Sequence, residues 1–460
     1  MVRFNYRKPL DPDMGSSDLG PGVALPARAA GIEEPPAPLG LPSSPSPRPA
    51  SEADEHRRGG WRVLLRNRRF LLFEASAAFA SAGYAVYSVS VLFLAYGLSG
   101  NLEVAGAVLF IEYGVYTATF LIAPLVDRVP DKRSILLIGY PVQAVVAFLL
   151  ALELISRTIS VPVLLGLVFV LALVWDFLWA VYMIAPRLIV EKRELFLADG
   201  VASVVSVGTQ IGGYSGGAAL LYFLGPYGGA SAYALLLVAA LVAALPLTLP
   251  VDRPPRTPFR TTFRGGWEAF RGRAGRALRA FAALEVAAGF FAAIPALLLP
   301  AVAYAGFSEP TSTYGALVTS LAVGGAIAGI VVGHLNPRSR VGLLLVVTPF
   351  LAGVCVLLLG PATASVVTLA LLLGGTGAAF SVRNTAKYTW VQGTYPPEAL
   401  GRLTSNLYLF SGGAATAAVL VIGTLSARLP LSTLELVDGF GLLATGALAL
   451  GIPAVRRMAF

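Results

Sequence analysis

Four acidic residues sit where a chain built from hydrocarbon has little reason to keep them. Asp176 lies in "LVFVLALVWDFLWAVYMIAPRL", residues 167–188, between Trp175 and Trp179. Glu74, Glu112 and Glu285 lie in comparable apolar runs. On insertion scales an acid at the centre of a membrane helix costs about 2.5–3.5 kcal/mol, so each needs a partner, a proton or a water-filled cavity. The chemistry open to such a carboxyl is proton exchange or attraction of a cation. Depth separates the four. Glu74 and Glu285 fall within about two turns of a span end, where a side chain can reach water. Glu112 and Asp176 fall close to the middle. No Lys or Arg is expected in the middle of any span, so a mid-membrane salt bridge is not expected either.

The neighbours of these acids fall at helical spacing. Glu112, Tyr116 and Thr119 form one polar stripe, and Glu74, Ser81, Tyr84 and Ser88 form another. Ser203, Ser206, Gln210 and Tyr214 make a third, and Asp176, Trp179 and Met183 share a face. Aromatic rings beside an acid suit a lipophilic, cationic solute. The plainer reading is that the acids, protonated, hydrogen-bond neighbouring helices together.

The elements that carry these residues follow from composition. Of the 460 residues 56% are hydrophobic and only 13% charged, too few charges to cover a soluble surface of this size. Apolar runs of about 20 residues recur from Phe70 onward, each long enough to cross a bilayer. They predict spans near 70–95, 104–126, 135–155, 162–186, 200–224 and 229–249, then 281–303, 314–335, 341–360, 363–385, 403–427 and 435–455. In lipid only helices or closed barrels satisfy their backbone, and these runs are too long for strands. The expectation is an all-α, twelve-span membrane protein.

Basic residues predict its orientation. The loops carrying Arg66 to Arg69, Arg128 to Arg133, Arg187 to Arg193, Arg338 and Arg340, and the span-10 end with Arg383 and Lys387, all fall on one side. Arg157 and Arg428 fall on the other. Both termini are therefore expected in the cytoplasm, and the net charge of +9 reflects topology, with no nucleic-acid partner. Residues 1–60, rich in Pro, Ser, Gly and Glu without a hydrophobic period, predict a disordered tail with no signal peptide. The six-span halves are 61–249 and 280–460, joined by a basic linker over 250–279. "FLLFEASAAFASAGY" and "FAALEVAAGFFAAIP" align Glu74 with Glu285, an internal symmetry found in secondary transporters. Cys355 excludes an internal disulfide, and His56 and His334 alone offer no metal site. No cofactor is expected.

The loop after the second span, "APLVDRVPDKRSILL", resembles a motif of the major facilitator superfamily, roughly G-x-L-x-D-R-x-G-R-[RK]. Asp127, Arg128, Lys132 and Arg133 fall in place. Ala123 stands for the first Gly, and Pro130-Asp131 stands for Gly-Arg. "GVASVVSVGTQIGGYSGG" in the fifth span is similar to the glycine motif of proton-coupled drug and siderophore exporters of that superfamily. Gly208, Gly212, Gly216 and Gly217 match, Gly213 replaces Pro, and Gly200 is one residue out of register.

The resemblance implies two six-helix bundles completing one cavity within a monomer. It converges the polar stripes on that cavity, so Asp176, Glu112, Glu74, Glu285, Tyr84, Tyr116, Trp179, Gln210 and Tyr214 become its candidate lining. It also implies a cytoplasmic gate of Asp127, Arg128, Lys132 and Arg133, which pairs between the halves and breaks when they rock. Arg187 and Arg383 could join that latch, although ordinary anchoring at the cytoplasmic face explains them as well. Gly208, Gly212 and Gly216 recur every four residues, as do Gly325, Gly329 and Gly333, and are expected to pack spans 5 and 8 together.

The favoured function is proton-coupled export of a hydrophobic or amphipathic small molecule across the plasma membrane. The alternatives are a proton-coupled uptake symporter for a small metabolite, disfavoured by the lack of mid-membrane cations, and a non-transporting scaffold or receptor. None of the four lysines follows a Gly, so no G-K-[ST] phosphate loop exists, and no hydrolase motif is present. An enzyme is not expected.

Overall fold

The computed structural model describes residue 64 and residues 66–191, 194–251, 270, 275–335, 341–360, 365–395 and 397–456. The expected tail, and most of the expected linker, lie outside these residues, as do Arg338 and Arg340.

Local signals start and stop the helices. Helix α1, Arg68–Ser99, opens on Asn67, whose side chain accepts from the Phe70 N–H at 3.2 Å. It ends on Gly100, whose φ of 68° is a left-handed conformation that glycine adopts without a Cβ clash. Asn101 then caps α2, Leu102–Thr117. The second span is broken at Ala118 and continues as α3, Thr119–Arg128. Thr117 and Thr119 on either side bond back to the Tyr113 and Tyr116 carbonyls, a pattern that bends helices. Asp131 caps α4, Lys132–Ile155, and is followed by α5, Val161–Ile189. Helix α6 is Leu195–Leu224 and α7 is Pro226–Ala244.

The second half opens with α8, Gly275–Ala292, broken before α9, Ile294–Gly306. Pro295 explains that break, because it lacks an N–H and its ring crowds the carbonyl four residues back. There follow α10 (Pro310–Leu335), α11 (Val341–Leu357), α12 (Val366–Thr394), α13 (Pro397–Leu425), α14 (Leu431–Gly451) and the single turn α15 (Pro453–Arg456).

These helices account for the twelve predicted runs, and no strand occurs among the described residues. Ten segments are long and apolar enough to cross a membrane, and α11 is a shorter apolar helix. Helix α6 is the remaining one, its hydropathy diluted by Ser203, Ser206, Thr209, Gln210 and Ser215. One predicted boundary needs correction: the tenth span runs to Thr394, nine residues beyond 385, which moves Arg383 away from the helix end and takes Lys387 inside it.

The pairing of spans repeats from half to half. In the first half α1 packs on α7 and α6, α4 on α7 and α5, and α2 on α5. In the second half α8 packs on α14 and α13, α11 on α14 and α12, and α10 on α12. Shifting every span by six converts one set into the other, which is the internal repeat read from Glu74 and Glu285. Two further pairs, α2 on α13 and α6 on α10, join the halves and also exchange under that shift.

The halves meet tightly at the end where α1 stops and α2 begins. Phe93 stacks on Tyr304 at 4.9 Å, and Gly106 lies against Gly423. A methyl group on Gly106 would fall 2.7 Å from the Val419 carbonyl oxygen and 2.9 Å from the Gly423 Cα. Gly106→Ala should therefore cost this arrangement about 1–3 kcal/mol and shift the population toward a state open at that end. Spin labels on α2 and α13, in a background with Cys355 replaced, should show a longer distance in the variant. An unchanged distribution would mean the contact does not hold that end shut.

The other end carries Arg128, Lys132 and Arg187; Gly208, Gly212 and Gly216, in the middle and second half of α6, face open space. This corrects the expected packing: α6 and α10 meet elsewhere, with Ser215 and Thr319 hydroxyls 3.4 Å apart. Gly217, with Gly213, packs on α1 instead, its missing Cβ leaving room for the Val86 backbone. Gly325 and Gly329 of α10 face Gly377 and Ser381 of α12. Close glycine contacts occur both within the halves and between them, and the Gly208–Gly212–Gly216 stripe takes part in neither.

Candidate functional site: a cavity with acids on one wall and bases on the other

Asp176 is 1% exposed and points from α5 toward the break in the second span. The Thr119 hydroxyl, which opens α3, lies 2.7 and 2.9 Å from its two carboxylate oxygens and also within reach of the Tyr116 carbonyl, so its one proton serves one of the three at a time. Tyr84 stacks on Trp175 at 4.4 Å beside it. Glu112 Oε1 is buried without a hydrogen-bond partner, the Tyr87 hydroxyl standing nearby outside bonding geometry.

These side chains surround a cavity of about 270 Å³. Its wall takes Ser81 and Tyr84 from α1, Glu112, Tyr113 and Tyr116 from α2, Trp175, Asp176 and Trp179 from α5, and Ser206, Gln210 and Tyr214 from α6. The structure thus brings together all but two of the cavity residues expected from sequence. Glu74 lines an adjoining space of about 520 Å³ toward the basic end, together with Arg187 and Asp199. Ser81, Trp179 and Ser206 border both spaces.

Glu285 stands apart, and the structure corrects two readings of it. It is fully buried, so it does not reach water from a span end. It also has the mid-span cationic partners that the sequence was not expected to supply. Arg383 Nη2 donates to Glu285 Oε1, and Lys387 Nζ donates to Oε2 at 3.2 Å. Arg383 and Lys387 are one turn apart on α12, which puts both on one face toward α8. That i, i+4 spacing, opposite a lone acid in the paired span, was the signal available in the sequence. These three residues border a third cavity of about 360 Å³, with Tyr388, Tyr408 and Ser411. Lys387 Nζ also lies 5.0 Å from the centre of the Tyr388 ring. Tyr113 and Tyr116 line both this cavity and the Asp176 cavity, so the two spaces adjoin at these rings.

Two of the expected gate residues bond within their own half here. Lys132 is fully buried and donates to the carbonyls of Val126, Asp127 and Val129, capping the end of α3. Arg133 Nη2 donates to the Leu245 carbonyl at 2.6 Å, at the end of the same half. Asp127 and Arg128 lie exposed on the last turn of α3. No group of three or more His, Cys, Asp or Glu that could hold a metal occurs among the described residues.

Likeness to known proteins places this arrangement. The nucleoside transporter NupG superposes with a TM-score of 0.68 over 83% of this chain and 98% of its own, at 11% identity. A POT family transporter in complex with a thioalcohol conjugated peptide gives 0.67 at 12% identity, over 83% of this chain and 95% of that one. A bacterial homolog of the human lysosomal transporter Spinster, inward-facing and unoccupied, gives 0.62 at 14% identity, over 85% and 98%. Identities this low carry the fold alone. No curated protein sequence matches the chain. Residues 113–419, well over half of the 460, match the Major Facilitator Superfamily. The repeated six-helix halves, the cavities between and within them, and this match agree, and the chain belongs to the major facilitator superfamily of membrane transporters.

Proposed function

We propose that this protein exports an amphipathic small molecule in exchange for protons, by alternating access, as a monomer in the plasma membrane with both termini in the cytoplasm. The observation that carries the reading is the Asp176–Glu112 cavity. Two acids without a basic partner share an aromatic-walled space, and the larger space beside Glu74 leads from it toward the basic end. Acids in that setting exchange protons with cavity water, and proton occupancy decides whether the cavity attracts or repels a cationic solute. The 27 residues of the second span, broken at Ala118, would let Thr119 follow Asp176 as the halves rock. The gate formed by Asp127, Arg128, Lys132 and Arg133 belongs to the opposite state in this reading, when the basic end closes.

A second reading, proton-coupled uptake of a small anionic metabolite, draws support from Arg383 and Lys387, which line the third cavity. Efflux of ethidium from preloaded cells separates the two. Export predicts efflux that stops when a protonophore collapses the gradient. Accumulation driven by the same gradient, or fluxes identical to those of cells lacking the protein, would contradict export.

A further inference from the structure

Charge is segregated between the two inner cavities. The first, in the N-terminal half, has Glu112 and Asp176 in its wall and no basic residue. The third, toward the C-terminal half, has Arg383 and Lys387 against the single carboxylate of Glu285, which leaves one positive charge unmatched among its lining residues. All three charged groups of that triad are at least nine-tenths buried, and Arg383 Nε is buried with no hydrogen-bond partner. A surplus charge held away from water is costly unless an anion completes it. The two cavities are neighbours across Tyr113 and Tyr116, and the Tyr116 and Tyr408 rings meet edge to face at 5.9 Å. At about 270 and 360 Å³ the cavities fall near the lower end of the roughly 300–1,000 Å³ range of small-molecule sites.

We infer that the transported solute is zwitterionic and aromatic, with its cationic group at Asp176, its anionic group at the Arg383–Lys387 pair, and its ring against Tyr113 and Tyr116. This names the substrate class of the transport cavity and rests on the transport reading above. A solute of one sign would leave one wall uncompensated. A cation alone would satisfy Asp176 and leave the surplus charge at Lys387 unmet; an anion alone would do the reverse. Binding across the two walls also draws the halves together, because Asp176 belongs to one half and Lys387 to the other. The ligand would then favour the occluded state by its differential contacts.

A charge-matched trio tests this on the purified full-length protein: 4-(2-aminoethyl)benzoate, whose ammonium and carboxylate stand at opposite ends of one ring, its benzamide, which keeps only the cation, and its N-acetyl derivative, which keeps only the anion. Binding of the radiolabelled zwitterion is measured by scintillation proximity, with the two analogues as competitors. The zwitterion is expected to bind roughly tenfold or more tighter than either analogue, since each analogue leaves a buried charge unpaired. In Lys387→Met the Arg383–Glu285 pair remains neutral, and the zwitterion is expected to lose its advantage over the amide. The wild-type comparison stands even if the variant fails to fold. Equal binding of the zwitterion and its amide would overturn the inference, as would a Lys387→Met protein that keeps the full preference. Absence of zwitterion binding would overturn it too, and ethidium export in parallel then shows whether the transport reading survives without it.

Discussion

Asp176→Asn should reduce proton-driven transport by about tenfold or more while leaving the fold intact. Asparagine has nearly the shape of aspartate, and its side-chain carbonyl can still accept from the Thr119 hydroxyl that now sits 2.7 Å from Oδ1. What it cannot do is take up and release a proton. The loss should therefore appear in gradient-driven flux and not in solute exchange at equal pH, which needs no proton cycle. Thermal stability in detergent should stay close to wild type. Full gradient-driven flux in Asp176→Asn would remove Asp176 from the coupling path and leave it as a hydrogen-bonding contact between α3 and α5.

The second large effect is on stability. Glu285→Ala should destabilise the protein by about 3–5 kcal/mol, because it strands two cations in a buried site. Lys387→Met should cost much less, since the remaining Arg383–Glu285 pair is neutral and still hydrogen-bonded. Combining Glu285→Gln with Lys387→Met should recover part of the loss by leaving one cation in place of two. Thermal midpoints from size-exclusion profiles order these variants directly. If Glu285→Ala melts with wild type, water must reach Arg383 and Lys387 freely, and the surplus charge loses its meaning.

Much of this site was legible as pattern. The stripes through Glu112, Asp176 and Gln210 come from helical geometry, and hydropathy alone placed their spans. What pattern could not supply was partnership. Arg383 and Lys387 were read as cytoplasmic anchors because polar residues dilute the end of the tenth span, so its hydropathy falls while the helix continues to Thr394. A hydropathy window ends where polar residues begin, whether they face water or a buried acid. The glycines failed differently. Their four-residue repeat fixes that Gly208, Gly212 and Gly216 share a face, but not whether another helix packs on it, and none does within reach of an added Cβ. Thr119 was assigned to the right stripe, yet neither its bond to Asp176 nor the helix break beside it at Ala118 could be read from hydropathy and spacing.

Lys132 and Arg133 bond within their own half at the basic end, while Gly106 packs on Gly423 across the halves at the other. In the proposed transport cycle the basic end closes as the Gly106 contact is released, and Gly106→Ala tests that exchange without touching the cavity.

The most direct measurement is proton movement coupled to solute flux in proteoliposomes holding purified protein and an internal pH dye. With ethidium loaded inside and an inward proton gradient imposed, the account predicts ethidium efflux accompanied by acidification of the interior. Both signals should be lost together in Asp176→Asn. Efflux that proceeds with no dye response, or a dye response that Asp176→Asn leaves unchanged, would contradict proton-coupled export through this cavity.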